Sequence, residues 1–185
     1  MASVVEICNR ALILLGANTI TALSDDTKNA KICTIIYPQI RQDLIRMHPW
    51  NFAMKRSTLA PTGTAPDFEY EYQFNLPSDC IRVWQIYTPE SPHKIESRTI
   101  VTDDNVVYLR YIADITDTTK WDSSFISMLV YKLAIDMCFA ITGSPNLIPA
   151  LEDQYRRFKI EAKLWDSQED TPDKWTWGDS WIGDR

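Results

Sequence analysis

Apolar residues recur at helical spacing near both ends of the chain and lose that spacing in the middle. Val4, Cys8, Ala11 and Leu15 share one face of a helix expected over residues 3–15. Ser3 is its N-cap, Glu6 follows three residues on as in a capping box, and Gly16 closes the end. A loop over 18–24 leads to a second helix over 25–47, in which Ala30, Cys33, Tyr37, Ile40, Leu44 and Met47 repeat at intervals of three and four. Acidic residues open it and Arg41 and Arg46 close it, as the helix dipole prefers. Pro38 predicts a kink there, because proline removes a backbone donor and crowds the preceding turn. A third helix, over 123–142, is apolar on nearly every face and so is expected at the centre of the molecule. Lys132 and Asp136 are spaced to pair on it, and Gly143 and Pro145 stop it. A fourth, over 146–166, carries Leu147, Leu151, Tyr155, Phe158, Ala162 and Trp165 as one stripe, with charged residues over the rest.

Between 51 and 112 the pattern shifts to short runs of aromatic and β-branched residues broken by proline. Residues 70–74, 81–87 and 106–112 read as strands, 61–66 as a loop and 88–92 as a turn. Asp103, Asp104 and Asn105 read as a turn between strands, since the glycine and distal glutamate of a calcium loop are missing. The expected fold is α+β: mainly a four-helix bundle, with a small antiparallel β-rich insertion over 51–112, in one domain over 1–167. After Ser167 periodicity ends, and residues 168–185 are expected to form an extended C-terminal tail.

That tail changes the functional picture. Trp175, Trp177 and Trp181, with Ile182, sit among aspartates and glycines that give no helix to join. A tryptophan left in water gains nothing from its surface, whereas burying one contributes about 2–3 kcal/mol. Tryptophan is also enriched among interface hot spots. Two readings follow: the tail folds back on its own helices, or it lies on a neighbouring subunit or partner and orders there. The second is favoured, since the 175 and 177 rings fall on one side of an extended segment.

Charge and candidate chemistry narrow the rest. Nineteen basic and 25 acidic residues give a net charge of −6, opposite in sign to a protein that grips nucleic acid by its phosphates. Apolar runs are interrupted well short of the ~20 residues a bilayer span needs, so no membrane helix is expected, and Glu6 and Arg10 argue against a signal peptide. Cys8, Cys33, Cys80 and Cys138 are far apart in sequence and sit in apolar contexts, which reads as reduced core thiols. With His48 and His93 they fit no metal-ligand spacing, and no metal or cofactor is expected. No phosphate-binding glycine loop, Gly-x-Ser-x-Gly or His-Glu-x-x-His is present. Gly178-Asp179-Ser180 is similar to a lipolytic nucleophile block but has no downstream partner. His48 is a candidate general base or a helix-end capping residue, the latter preferred. Arg41, Arg46, Lys55 and Arg56 around Trp50 form either a small nucleic-acid patch or, preferably, a solvated helix end followed by an edge strand.

Two blocks carry a family resemblance. One is His48-Pro49-Trp50-Asn51-Phe52, after a helix ending in Tyr37-Pro38-Gln39-Ile40-Arg41. The other is Leu76-Pro77-Ser78-Asp79-Cys80, after Tyr70-Glu71-Tyr72-Gln73-Phe74. With Leu14-Leu15-Gly16-Ala17 and Ala30-Lys31-Ile32-Cys33, the chain over most of 1–165 resembles the tail tubular protein A family of tailed phages. The resemblance implies a non-enzymatic head–tail connector, or adaptor, in the virion neck, assembled in the host cytoplasm. Such proteins form a ring, usually of twelve, beneath the portal, with the tail nozzle or tube below, no membrane involved and the genome passing through without specific binding. It also implies a helical bundle with a β-rich insertion. His48, Pro49, Trp50, Asn51, Phe52, Leu76, Pro77 and Asp79 would then be structural motif residues, and Trp175, Trp177, Trp181 and Ile182 candidates for contact with the portal or a neighbouring subunit. A virion-associated hydrolase and a small nucleic-acid-binding module are the alternatives.

Overall fold

The first helix, α1 (Val4–Leu14), is set locally: the Glu6 N–H donates to the Ser3 hydroxyl at 3.2 Å, and the Ser3 N–H donates to the Glu6 carboxylate at 2.7 Å. The computed structural model describes residues 2–87 and 91–169. Trp175, Trp177, Trp181, Ile182 and part of the 88–92 turn lie outside the described residues.

Helix α2 (Lys28–Met47) begins at a Thr27 cap, later than expected, and contains Pro38. Asp25 closes a turn instead, its Oδ2 accepting from the N–H groups of Thr21 and Ala22 at 2.8 and 3.0 Å. Helix α3 (Ser123–Thr142) has the expected bounds, with Lys132 paired to Asp136 at 2.8 Å and Gly143 in the left-handed region at φ 69°. Helix α4 (Ile148–Glu169) packs on α3. By length and composition alone α3 is apolar enough to cross a membrane. Here it is the central helix, burying Phe125, Leu129, Leu133 and Met137 against α1, α2 and α4.

Six strands join α2 to α3: β1 (Met54–Leu59), β2 (Tyr72–Asn75), β3 (Cys80–Tyr87), β4 (His93–Glu96), β5 (Thr99–Thr102) and β6 (Val107–Ala113). They form two antiparallel sheets, ordered β1-β6-β3 and β2-β5-β4. The expected strands correspond to β2, β3 and β6.

The expectation of a mainly helical bundle with a small insertion is corrected here. The described residues form an α+β fold of four helices and two three-stranded sheets. The physical reason lies in the core. Phe74 of β2, Ile100 of β5, and Leu109 and Ile112 of β6 are fully buried in the same apolar cluster as Ile7, Leu12, Leu44 and Leu133 of the helices. Strand β6 alternates, with Val107, Leu109 and Tyr111 turned inward and Tyr108 outward. The strands therefore supply part of the core itself.

Candidate functional site

The block His48–Phe52 turns the chain from α2 into β1 and binds the end of α4. Proline at 49 bars His48 from helical geometry, so α2 stops and His48 is extended at φ −142°, ψ 146°. The turn drives Trp50 into the core at 1% exposure. Its indole N–H donates to the Leu44 carbonyl at 2.9 Å, satisfying one of the orphan acceptors at the end of α2. Around it the rings meet mostly edge to face: Trp50 with Phe125 at 5.2 Å, Phe52 with Phe125 at 4.9 Å, and Trp121 with Phe125 at 5.4 Å.

The polar members of the block converge on Asp166. Its Oδ1 accepts the Asn51 backbone N–H at 2.9 Å, its Oδ2 lies 3.0 Å from His48 Nε2, and its carbonyl accepts the Asn51 side-chain amide at 2.7 Å. These contacts hold the last turn of α4 against the turn between α2 and β1. As a candidate general base, His48 is occupied: one ring nitrogen is engaged by Asp166 and the ring stands edge-on to Trp50 at 4.6 Å. Asp166 was not singled out from the sequence. One signal was available, since a carboxylate in the last turn of a helix opposes the dipole and calls for a donor elsewhere.

Leu76, Pro77 and Asp79 belong to a second junction, which ties the sheets to each other and to α2. Strands β4 and β5 turn through Ser97 and Arg98, both left-handed at φ 44° and 67°, as a tight hairpin requires. The Arg98 carbonyl accepts the Leu76 N–H at 3.0 Å, and its guanidinium donates to the carbonyls of Pro77 and Cys80 at 3.0 and 3.2 Å. Asp79 accepts from Lys55 Nζ at 2.7 Å and from the Tyr111 hydroxyl at 3.1 Å. The Lys55 contact holds the Asp79 carboxyl below the usual aspartate range. The Asp79 carbonyl accepts the Asp114 N–H at 2.7 Å, and the Asp114 carboxylate takes Arg41 of α2 at 2.7 Å, with Gln42 at 2.8 Å. Arg98, Asp114 and Arg41 were not placed here from sequence; the Ser97-Arg98 turn lacks the glycine or asparagine that marks such hairpins.

The nucleic-acid patch considered around Trp50 is not assembled. Trp50 is buried, Arg41 is enclosed against Asp114, Arg46 donates to the Ile81 carbonyl and Lys55 is engaged by Asp79. Arg46, Lys55 and Arg56 are exposed, the last two on β1, an edge strand, but the ring that would stack a base is not among them. All four cysteines are free and buried. Cys8 and Cys33 adjoin, and the Cys8 thiol is pushed up by its hydrogen bond with Cys33 and by burial. No group of three or more His, Cys, Asp or Glu side chains that could hold a metal ion occurs among the described residues.

No family model and no curated protein matches the chain. Function is therefore read from the two junctions and from the surface around them.

On that surface, α4 is the least covered helix. Of its 22 residues, Leu151 and Ala162 are buried and Tyr155 and Phe158 are half-buried. Ile160, Leu164 and Trp165 remain 66%, 52% and 52% exposed, with Ile160 and Leu164 one turn apart. Leu147 and Trp165, expected in the buried stripe, lie at its exposed ends.

Proposed function

We propose that this chain is a structural head-to-tail connector of a tailed-phage virion. It would be one protomer of a ring, of twelve by the habit of the family it resembles, seated between portal and tail nozzle or tube, with the genome passing through the centre. The observation that carries the reading is α4. An amphipathic helix that keeps Ile160, Leu164 and Trp165 in water at its outer end, where it runs into the tryptophan-rich segment, is built to be covered by another chain.

The two motif blocks support the same reading. His48, Trp50 and Asn51 set the end of α4, and Leu76, Pro77 and Asp79 lock the sheets to α2. Both are spent on holding a frame. His48, the candidate general base, is engaged by Asp166, and Trp50, the stacking ring of the nucleic-acid alternative, is buried in the core. In the connector the tail tryptophans Trp175, Trp177 and Trp181, with Ile182, clasp a neighbouring protomer or the portal. The net charge of −6 serves a channel past which DNA slides without sticking; a lumen lined mainly by lysine and arginine would contradict that role.

The test is the double substitution Ile160→Asp and Leu164→Asp. Both positions are exposed, so the fold should survive. By sedimentation, the wild-type chain should form a high-order species, alone or with portal, and the variant should remain small. Equal assembly by the two proteins would remove the support that α4 gives.

A further inference from the structure

The exposed apolar residues of α4 lie in a basic stripe. Arg156, Ile160 and Lys163 succeed one another at intervals of four and three, and Leu164 lies one turn beyond Ile160, so the four share one side of the helix. Beside them Arg156 and Lys159 rim a shallow groove of ≈ 300 Å³ between α3 and α4, lined also by Ile135 and Tyr155. Lys159 stands over the Tyr155 ring at 5.9 Å. Most neighbouring carboxylates are already engaged. Asp153 pairs with Arg157 at 3.0 Å, Asp136 pairs with Lys132 at 2.8 Å, and Glu161 accepts from the Trp165 indole N–H at 3.4 Å. Arg156 and Lys163 have neither an ion-pair nor a hydrogen-bond partner among the described residues. Glu152, one turn before Arg156, is the carboxylate left on that side, against the cations of Arg156, Lys159 and Lys163. The stripe is therefore net positive on an acidic molecule.

Such a surface calls for a partner that brings aromatic rings and carboxylates together, and the chain carries one. Residues 170–185 hold four aspartates against one lysine and one arginine, interleaved with three tryptophans. Asp173 stands two residues from Trp175, and Asp179 two residues from both Trp177 and Trp181, a spacing that puts ring and carboxylate on the same side of an extended segment. An indole laid on Ile160 and Leu164 gains from apolar burial and from the cations beside it, while the aspartate pairs with Arg156 or Lys163. A second copy's α4 fits less well, because an isologous helix pair sets these cations against themselves. We infer that α4 from Arg156 to Leu164 is the acceptor for residues 173–182 of a neighbouring copy of this chain. The inference rests on the connector reading and names what covers α4 within it. Donor and acceptor are different patches of one protomer, and such a heterologous contact, repeated with a closing rotation, produces a ring.

The experiment uses the full chain with Ile160 exchanged for the photo-crosslinker p-benzoylphenylalanine, irradiated in its assembled state, alone or with portal. A second protein carries the crosslinker at Leu164, should the first assemble poorly. The expected product has the mass of two chains, with the adduct mapping to residues 173–182. Arg156→Glu with Lys163→Glu should lower its yield at least ~10-fold, and Asp173→Lys with Asp179→Lys in the same chain should restore it. A yield that ignores the charge reversal, or that the second pair does not restore, would overturn the inference. So would an adduct within one chain, to the α4 or another part of the neighbour, or to portal alone. Closed rings with no tail adduct would overturn it while leaving the connector reading standing. Failure of the unsubstituted chain to assemble, even with portal, would remove both.

Discussion

Asp166 ties the turn between α2 and β1 to the last turn of α4. It receives His48 and the Asn51 N–H on its side chain and the Asn51 amide on its carbonyl. Asp166→Ala leaves the part-buried Asn51 N–H and His48 without their acceptor, and should cost about 2–3 kcal/mol in urea unfolding. Asp166→Asn keeps an acceptor for the N–H and should cost roughly half as much. A loss under ~0.5 kcal/mol for the alanine variant would show that the clasp is ornamental. Tyr37 presents the opposite case: its hydroxyl is buried without a hydrogen-bond partner among the described residues. Tyr37→Phe should therefore be neutral, or stabilising by up to ~1 kcal/mol. Alkaline pH tests the same residue. Burial pushes Tyr37 up to about 12, and burial with the hydrogen bond to Asp79 does the same for Tyr111. With folded values above the ordinary 10.0, their contribution is complete below pH 10.0 and lost as pH rises through about 12. Stability measured across that window should fall, and Tyr37→Phe should make the fall shallower; an unchanged slope would contradict the assignment.

Among the elements, α3 is the one on which the others are laid. Phe125 meets Trp50, Phe52 and Trp121 edge to face, so Phe125→Ala opens a cavity at the junction of α2, β1 and α3 and should cost about 3–5 kcal/mol. At its other end Gly143 is left-handed at φ +69°, with open space where a Cβ would stand. The cost of Gly143→Ala is thus purely conformational, about 1 kcal/mol, and a midpoint shift in thermal unfolding measures it. What could be read from sequence divides along the same lines. The Ser3–Glu6 box, the Lys132–Asp136 pair and the Gly143 stop span three or four residues or a single turn, and all are observed. Strand β1 reads Met-Lys-Arg-Ser-Thr-Leu, too polar to advertise a sheet, and β4 is exposed along its whole length. Their pairing comes from β6 and β5, which are distant or hidden behind a hairpin without glycine. The Asn51–Asp166 contact joins positions 115 residues apart and leaves no local pattern. The local pattern therefore understates the β region and shows the motif blocks without the partners that explain them.

At the scale of the whole molecule, a frame locked at two junctions leaves the apolar residues of α4 on the outside. Ile160, Leu164 and Trp165 on α4 are exposed, while His48, Trp50 and Asp79 are occupied within the fold. In the connector proposed above, a protein arranged in this way joins copies of itself and its neighbours. Electron microscopy of the purified full-length chain, alone and mixed with portal, tests that claim most directly. Closed rings around an open channel, coaxial with portal when portal is present, are predicted. Particles that stay single at every concentration and never attach to portal would contradict it.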